Sequence, residues 1–171
     1  MNKKPAVVGM ALLAVVAGCG NNDAPAAAPP PSAATGVAAE AVAIYPLPDE
    51  PGKTLHIPVP STWSVTHDKE RASYRKGGLL LETDRVPITQ EDALSGLQAV
   101  ANGQGAVAEH APIAERDTAE WDFTYERDGV PRRVTVIGLG AGDALVTIRF
   151  EAPAADFERD RSVLDNALKI S

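Results

Sequence analysis

The stretch from Ala119 to Ala152 restricts the possible folds more than any other part of the chain. Trp121, Phe123 and Tyr125 share one side of an alternating run from Ala119 to Glu126, with Asp122 and Thr124 on the other, the period of two of a half-buried strand. Asp128 and Gly129 suit a tight hairpin turn, and Arg132 to Leu139 and Ala144 to Ala152 return as two further strands. Three consecutive strands of this kind make an antiparallel meander. Its apolar face is buried only if another layer covers it, so the rest of the chain must supply that layer.

Short strands precede the meander. In Thr54 to Val59, Leu55, Ile57 and Val59 alternate with His56 and Pro58, and Pro58, which has no N–H to donate, points to an edge. A turn at Pro60 to Thr62 leads into a strand with Trp63 and Val65 on one face, and Ala72 to Arg75 is joined to Leu79 to Asp84 by a turn containing Gly77 and Gly78. Thr89 is the predicted N-cap of a helix, with Asp92 three residues on; Ala93, Leu94, Leu97, Val100 and Ala101 then follow at helical spacing until Asn102 and Gly103. Pro153 ends the sheet. A closing helix is predicted from about Ala155 to Ile170, with Phe157, Leu164 and Leu168 as its apolar stripe and Val163 and Ala167 widening it. The aromatic face of the meander is expected to pack under this helix. Together these elements predict an α+β fold, an antiparallel sheet flanked by helices.

The amino-terminal region has a different character. Asn2, Lys3 and Lys4 precede an apolar run from Ala6 to Ala17, the order of a secretory signal. The run is shorter than the roughly 20 residues a membrane-spanning helix needs. Val16, Ala17, Gly18 and Cys19 resemble the lipobox of bacterial lipoproteins, in which small residues precede a cysteine that receives a diacylglyceryl group before cleavage. The alternative is an ordinary secreted protein cut nearby, with Cys19 an incidental thiol. Cys19 is the only cysteine, so no disulfide can form within the chain. From Gly20 to about Val42 the composition is Ala, Pro, Asn, Ser and Gly, which buries little and favours an extended tether. The expected organisation is a signal at 1–18, a lipidated cysteine and tether at 19–43, and a domain at 44–171. The expected location is the extracytoplasmic face of the cell membrane, through lipid on Cys19, or the outer membrane where the source has one.

The formal charge is −7, and loss of Lys3 and Lys4 with the signal makes the remainder more acidic. No basic stripe is evident, which argues against a nucleic-acid partner. Gly138, Gly140 and Gly142 do not complete a G-x-G-x-x-G loop, because Asp143 stands where glycine is needed and the segment lies between two strands. His56, His67 and His110 show no H-E-x-x-H spacing. His67, Asp68 and Glu70 carry suitable donor atoms for a divalent metal, but a polar hairpin turn has the same composition. No serine sits in G-x-S-x-G, and Ser95 has no visible base. No catalytic residue, metal site or cofactor is therefore predicted. Trp121, Tyr125, Arg132 and Arg133 are the residues that would form a ligand or partner surface; packing of the aromatics in the core and solvation of the arginines are the competing explanations.

Leu55 to Trp63, with its Ile-Pro-Val-Pro-Ser-Thr-Trp, then Ala119 to Tyr125, then Phe157 through the closing helix, resemble the PsbP-like α/β domain of actinobacterial Lpq-type lipoproteins and of the extracytoplasmic parts of some actinobacterial serine/threonine kinases. The resemblance implies an α-β-α sandwich, usually non-catalytic and acting through partners. A binding or accessory domain for a protein or cell-envelope partner is the reading it favours. The alternative is a hydrolase or metal-dependent enzyme whose site is assembled from scattered residues.

Overall fold

The structure is a computed structural model that describes residues 41–171. Cys19, the signal and most of the tether lie outside the described residues. The first element, β1 (Ala41–Pro46), is a strand that the Ala- and Pro-rich composition concealed. It pairs antiparallel with β2 (Thr54–Val59), setting Tyr45 opposite Leu55 and Ala43 opposite Ile57. The sheet pair thus begins ahead of the expected boundary after residue 43.

Eight further elements supply the main sheet and the helix beside it. They are β3 (Ser64–Asp68), β4 (Arg71–Lys76), β5 (Leu79–Pro87), α1 (Ala93–Ala101), β6 (Ala106–Glu109), β7 (Thr118–Arg127), β8 (Val130–Ala141) and β9 (Ala144–Pro153). The seven strands β3 to β9 form one antiparallel sheet in the order β3-β4-β5-β9-β8-β7-β6. The expected meander is present as β7, β8 and β9, with β9 in the middle of the sheet. Two short helices follow, α2 (Phe157–Asp160) and α3 (Ser162–Ala167), where a single closing helix was expected. Arg161 joins them in helical dihedrals, and Phe157, Leu164 and Ala167 of the predicted stripe are all buried.

Strand alternation sends successive side chains to opposite faces. Val146, Ile148 and Phe150 of β9, with Ile137 and Leu139 of β8, face the β1–β2 pair and α2–α3 and pack with Tyr45, Leu55, Ile57, Phe157 and Leu164. The other face carries Leu145, Val134, Val136 and Ala119, which pack with Ala93 and Leu97 of α1. Leu97 of α1 lies directly over Gly138, where a Cβ would meet both of its methyls at an ordinary contact distance of 3.5 Å. The layers are therefore helix, sheet, then a mixed layer of two strands and two helices, an α+β sandwich.

The start of α1 corrects the predicted cap. Asp92, in extended backbone, accepts a hydrogen bond from the Ser95 N–H at 2.7 Å, and Asp117 Oδ2 takes the Ala93 N–H at 2.5 Å. Thr89 lies too far upstream to reach those orphan amides, and Asp92 is the capping residue. At the other end Asn102 adopts left-handed backbone and stops the helix where expected.

Candidate functional site

Helix α1 covers only part of its face of the sheet. The remaining part is lined by residues of β4, β5, β7, β8 and β9, and two features stand out on it.

The first is an aromatic row on β7. The Trp121 and Phe123 rings stack with centroids 4.4 Å apart, and Phe123 and Tyr125 are 6.3 Å apart. All three are half-buried. Trp121 packs at the margin of the α1 cluster, and its indole N–H donates to the Gln104 carbonyl. Gly105, at φ +83°, makes this position possible, because a Cβ there would lie 2.5 Å from Trp121 Nε1. The expectation that this row packs under the closing helix is overturned. Trp121 opposes Val136 and Phe123 opposes Val134, both on the α1 side, whereas α2 and α3 cover the other face.

The second feature is a charge cluster around Glu151. This carboxylate has no solvent exposure. Its Oε1 accepts from Tyr125 OH at 2.8 Å and Arg132 Nε at 3.1 Å and lies 3.1 Å from Arg127 Nη1; its Oε2 accepts from Arg149 Nη2 at 2.8 Å. Arg132 is buried and also donates to the Gly78 carbonyl. Arg127 donates to Tyr125 OH and lies 5.4 Å from the ring centre, while Arg149 lies 5.7 Å from the Phe123 ring, close enough for cation–π attraction. Burial pushes the Glu151 carboxyl up, but the hydrogen bonds from Tyr125 and Arg149 and the nearby guanidinium charges outweigh it and hold the group below its ordinary range. Tyr125 is raised, by burial first and then by donating its proton to an ionised Glu151.

Of the four surface residues proposed from sequence, three therefore share this face: Trp121, Tyr125 and Arg132. Arg133 does not. It points to the opposite face, 4.4 Å above the Phe157 ring, and donates to Glu158 at 2.6 Å. The sequence reading missed Arg127, Arg149 and Glu151. The available signal was Arg149 and Glu151 alternating with Ile148 and Phe150, two charges within an otherwise largely apolar, buried strand.

His67 and Asp68 lie on opposite faces of the β3–β4 hairpin by alternation. Among the described residues no group of three or more His, Cys, Asp or Glu side chains is placed to hold a metal ion. A cavity of about 570 Å³ lies elsewhere and includes Asp49, Glu50, Asp92, Arg116 and Asp117 in its lining. Those groups are engaged in the fold: Arg116 ties Asp49 at 3.2 Å, Glu50, and the Gly140 carbonyl at 2.9 Å, and Asp92 and Asp117 hold the start of α1. Among the described residues no helix is long and apolar enough to cross a membrane.

No family model matches the chain, and no match is found among curated proteins. Solved structures do match. The cyanobacterial PsbP of Synechocystis aligns at 13% identity and TM-score 0.54, covering 80% of this chain and 95% of that one. A Bacteroides thetaiotaomicron protein aligns at 11% identity and TM-score 0.51 over 68% of this chain, which spans only 44% of the length of that one. LpqN, described as involved in cell envelope biogenesis of Mycobacterium tuberculosis, aligns at 11% identity and TM-score 0.47 over 71% of this chain and 85% of its own. The chain has a PsbP-like α/β fold. At such identities the likeness is one of fold alone.

Proposed function

We propose that the chain is a lipoprotein anchored through Cys19 on the extracytoplasmic face of the membrane, and that its domain is a non-catalytic binding or accessory module for a protein or cell-envelope partner. The observation that carries the binding part is the open half of the α1 face, where Trp121, Phe123 and Tyr125 lie beside Arg127 and Arg149. Trp, Tyr and Arg dominate the energetic centres of protein interfaces, because each joins a large rigid contact area to a polar tip. The anchor rests on the short apolar run and the small residues before Cys19.

Two measurements in cells test the two parts. Cys19→Ser should abolish metabolic lipid labelling and release the protein from washed membranes; retention of the variant defeats the anchor. A photo-crosslinking residue at Phe123 should trap a discrete partner, whereas the same residue at Lys53, remote from this face, should not. Equal crosslinking from both positions defeats the binding surface.

A further inference from the structure

The arginines on the open face are not equally balanced. Arg71 has two carboxylates within reach, Asp84 at 3.2 Å and Glu82 at 3.9 Å. Arg127, Arg132 and Arg149 share one, since among the described residues Glu151 is the only carboxylate within 4.0 Å of any of them. Glu82 stands opposite Arg149 in the register but accepts from Ser73 Oγ at 2.8 Å instead. Three guanidiniums around one carboxylate leave two positive charges uncompensated, in a chain of net charge −7. Arg132 is buried and held by Glu151 and the Gly78 carbonyl, so the excess is presented by Arg127 and Arg149, whose side chains are 45% and 30% exposed. Arg149 Nε is also buried without a hydrogen-bond partner. Glu151 fixes both guanidiniums in place before any ligand arrives, which lowers the entropy cost of binding.

We infer that Arg127 and Arg149, held over Glu151 beside Phe123 and Tyr125, form the docking point for an acidic peptide segment of a protein partner. The inference rests on the proposed binding role of this face and specifies the chemistry of its occupant. A carboxylate takes two parallel N–H donors from a guanidinium, and Glu151 already shows that these arginines accept that group. The adjoining aromatic row supplies apolar contact for side chains between the acidic positions. Charge complementarity also gives a fast, salt-sensitive encounter.

The test uses the full chain in detergent and a fluorescent peptide of alternating glutamate and leucine, read by anisotropy. Binding should be measurable, weaken as salt is raised, and fall about tenfold in Arg127→Gln and again in Arg149→Gln. Arg159→Gln, on α2 and already paired with Asp156 and Asp160, should bind as the parent does. Denaturant titration of each variant identifies any that fails to fold, and Arg127→Gln, at the more exposed position, then decides alone. No binding of the peptide, or equal binding by Arg127→Gln and the parent, overturns the inference. Tighter binding of inorganic polyphosphate or of mixed micelles containing phosphatidylglycerol through the same arginines also overturns it, in favour of phosphate. If crosslinking from Phe123 in cells succeeds while the glutamate peptide fails, the binding face stands and its acidic occupant does not.

Discussion

Phe150 and Glu151 are consecutive residues of β9, neither exposed to solvent, yet they are buried by different means. Phe150 looks into the layer built by β1–β2 and α2–α3, where its ring meets Phe157 at 5.3 Å and the burial is apolar. Glu151 looks to the other side, where no layer lies over it and arginine and tyrosine side chains do the covering. The first side is closed by packing, which leaves nothing for a partner to contact. Around Glu151 the second is closed by charged groups whose outer ends still meet water, so the sheet is covered on one face and, beyond the α1 cluster, presents a surface on the other.

Substitutions along this division should separate the two kinds of burial. The largest effect is expected for Phe150→Ala, which removes a fully enclosed ring and should cost about 3 to 5 kcal/mol in a denaturant titration. Glu151→Ala should cost about 3 kcal/mol, because it leaves buried Arg132 with no counter-charge. A negligible loss there would mean that the arginines simply turn outward and that the face is not organised around Glu151. Trp121→Ala should cost about 2 kcal/mol, less than a core aromatic, because the indole is only half-buried. A loss as large as that of Phe150→Ala would place Trp121 in the core and remove it from the presented surface.

The smallest effect concerns pH. The folded state holds Glu151 below the ordinary value of about 4.3 for an unfolded glutamate, so the folded protein binds fewer protons in that range. The resulting stability is fully present above the unfolded value and is lost as pH falls through the folded one. Stability measured between about pH 6 and pH 3 should therefore drop more steeply in the parent and in Phe150→Ala than in Glu151→Gln. Equal acid slopes would show that Glu151 titrates alike in both states.

Much of this architecture was legible because it is local. The alternation of Leu55, Ile57 and Val59, the glycine and aspartate turns and the helical spacing from Ala93 to Ala101 each need only neighbouring residues to be read. β1 was not legible, since Ala41, Ala43 and Pro46 look like tether until Tyr45 finds Leu55 across the pair and donates to Thr83 Oγ1 at 2.8 Å. The face on which the aromatic row would lie was misjudged for a related reason. Alternation shows which residues share a side, but which layer covers that side depends on connections distant in sequence. Arg132 lies nineteen residues from Glu151, and Arg127 and Arg149 lie on different strands, so no spacing rule could gather them. Arg133 was grouped with Arg132 by adjacency, although adjacent strand residues face apart.

The position of β9 also governs when this protein can fold. It is the middle strand of the seven and the last of them to be synthesised. Until it emerges, β3-β4-β5 and β6-β7-β8 are two separate three-stranded fragments with nothing to join them, and Leu81 and Leu139 lack the apolar neighbours β9 supplies. The loop that closes between β5 and β9 is long, so its entropy is lost before the pairing repays it. A nascent chain of this design cannot complete its main sheet until β9 has been made. Any truncation before Ala144 should leave two exposed sheet edges prone to aggregation, not a smaller stable domain.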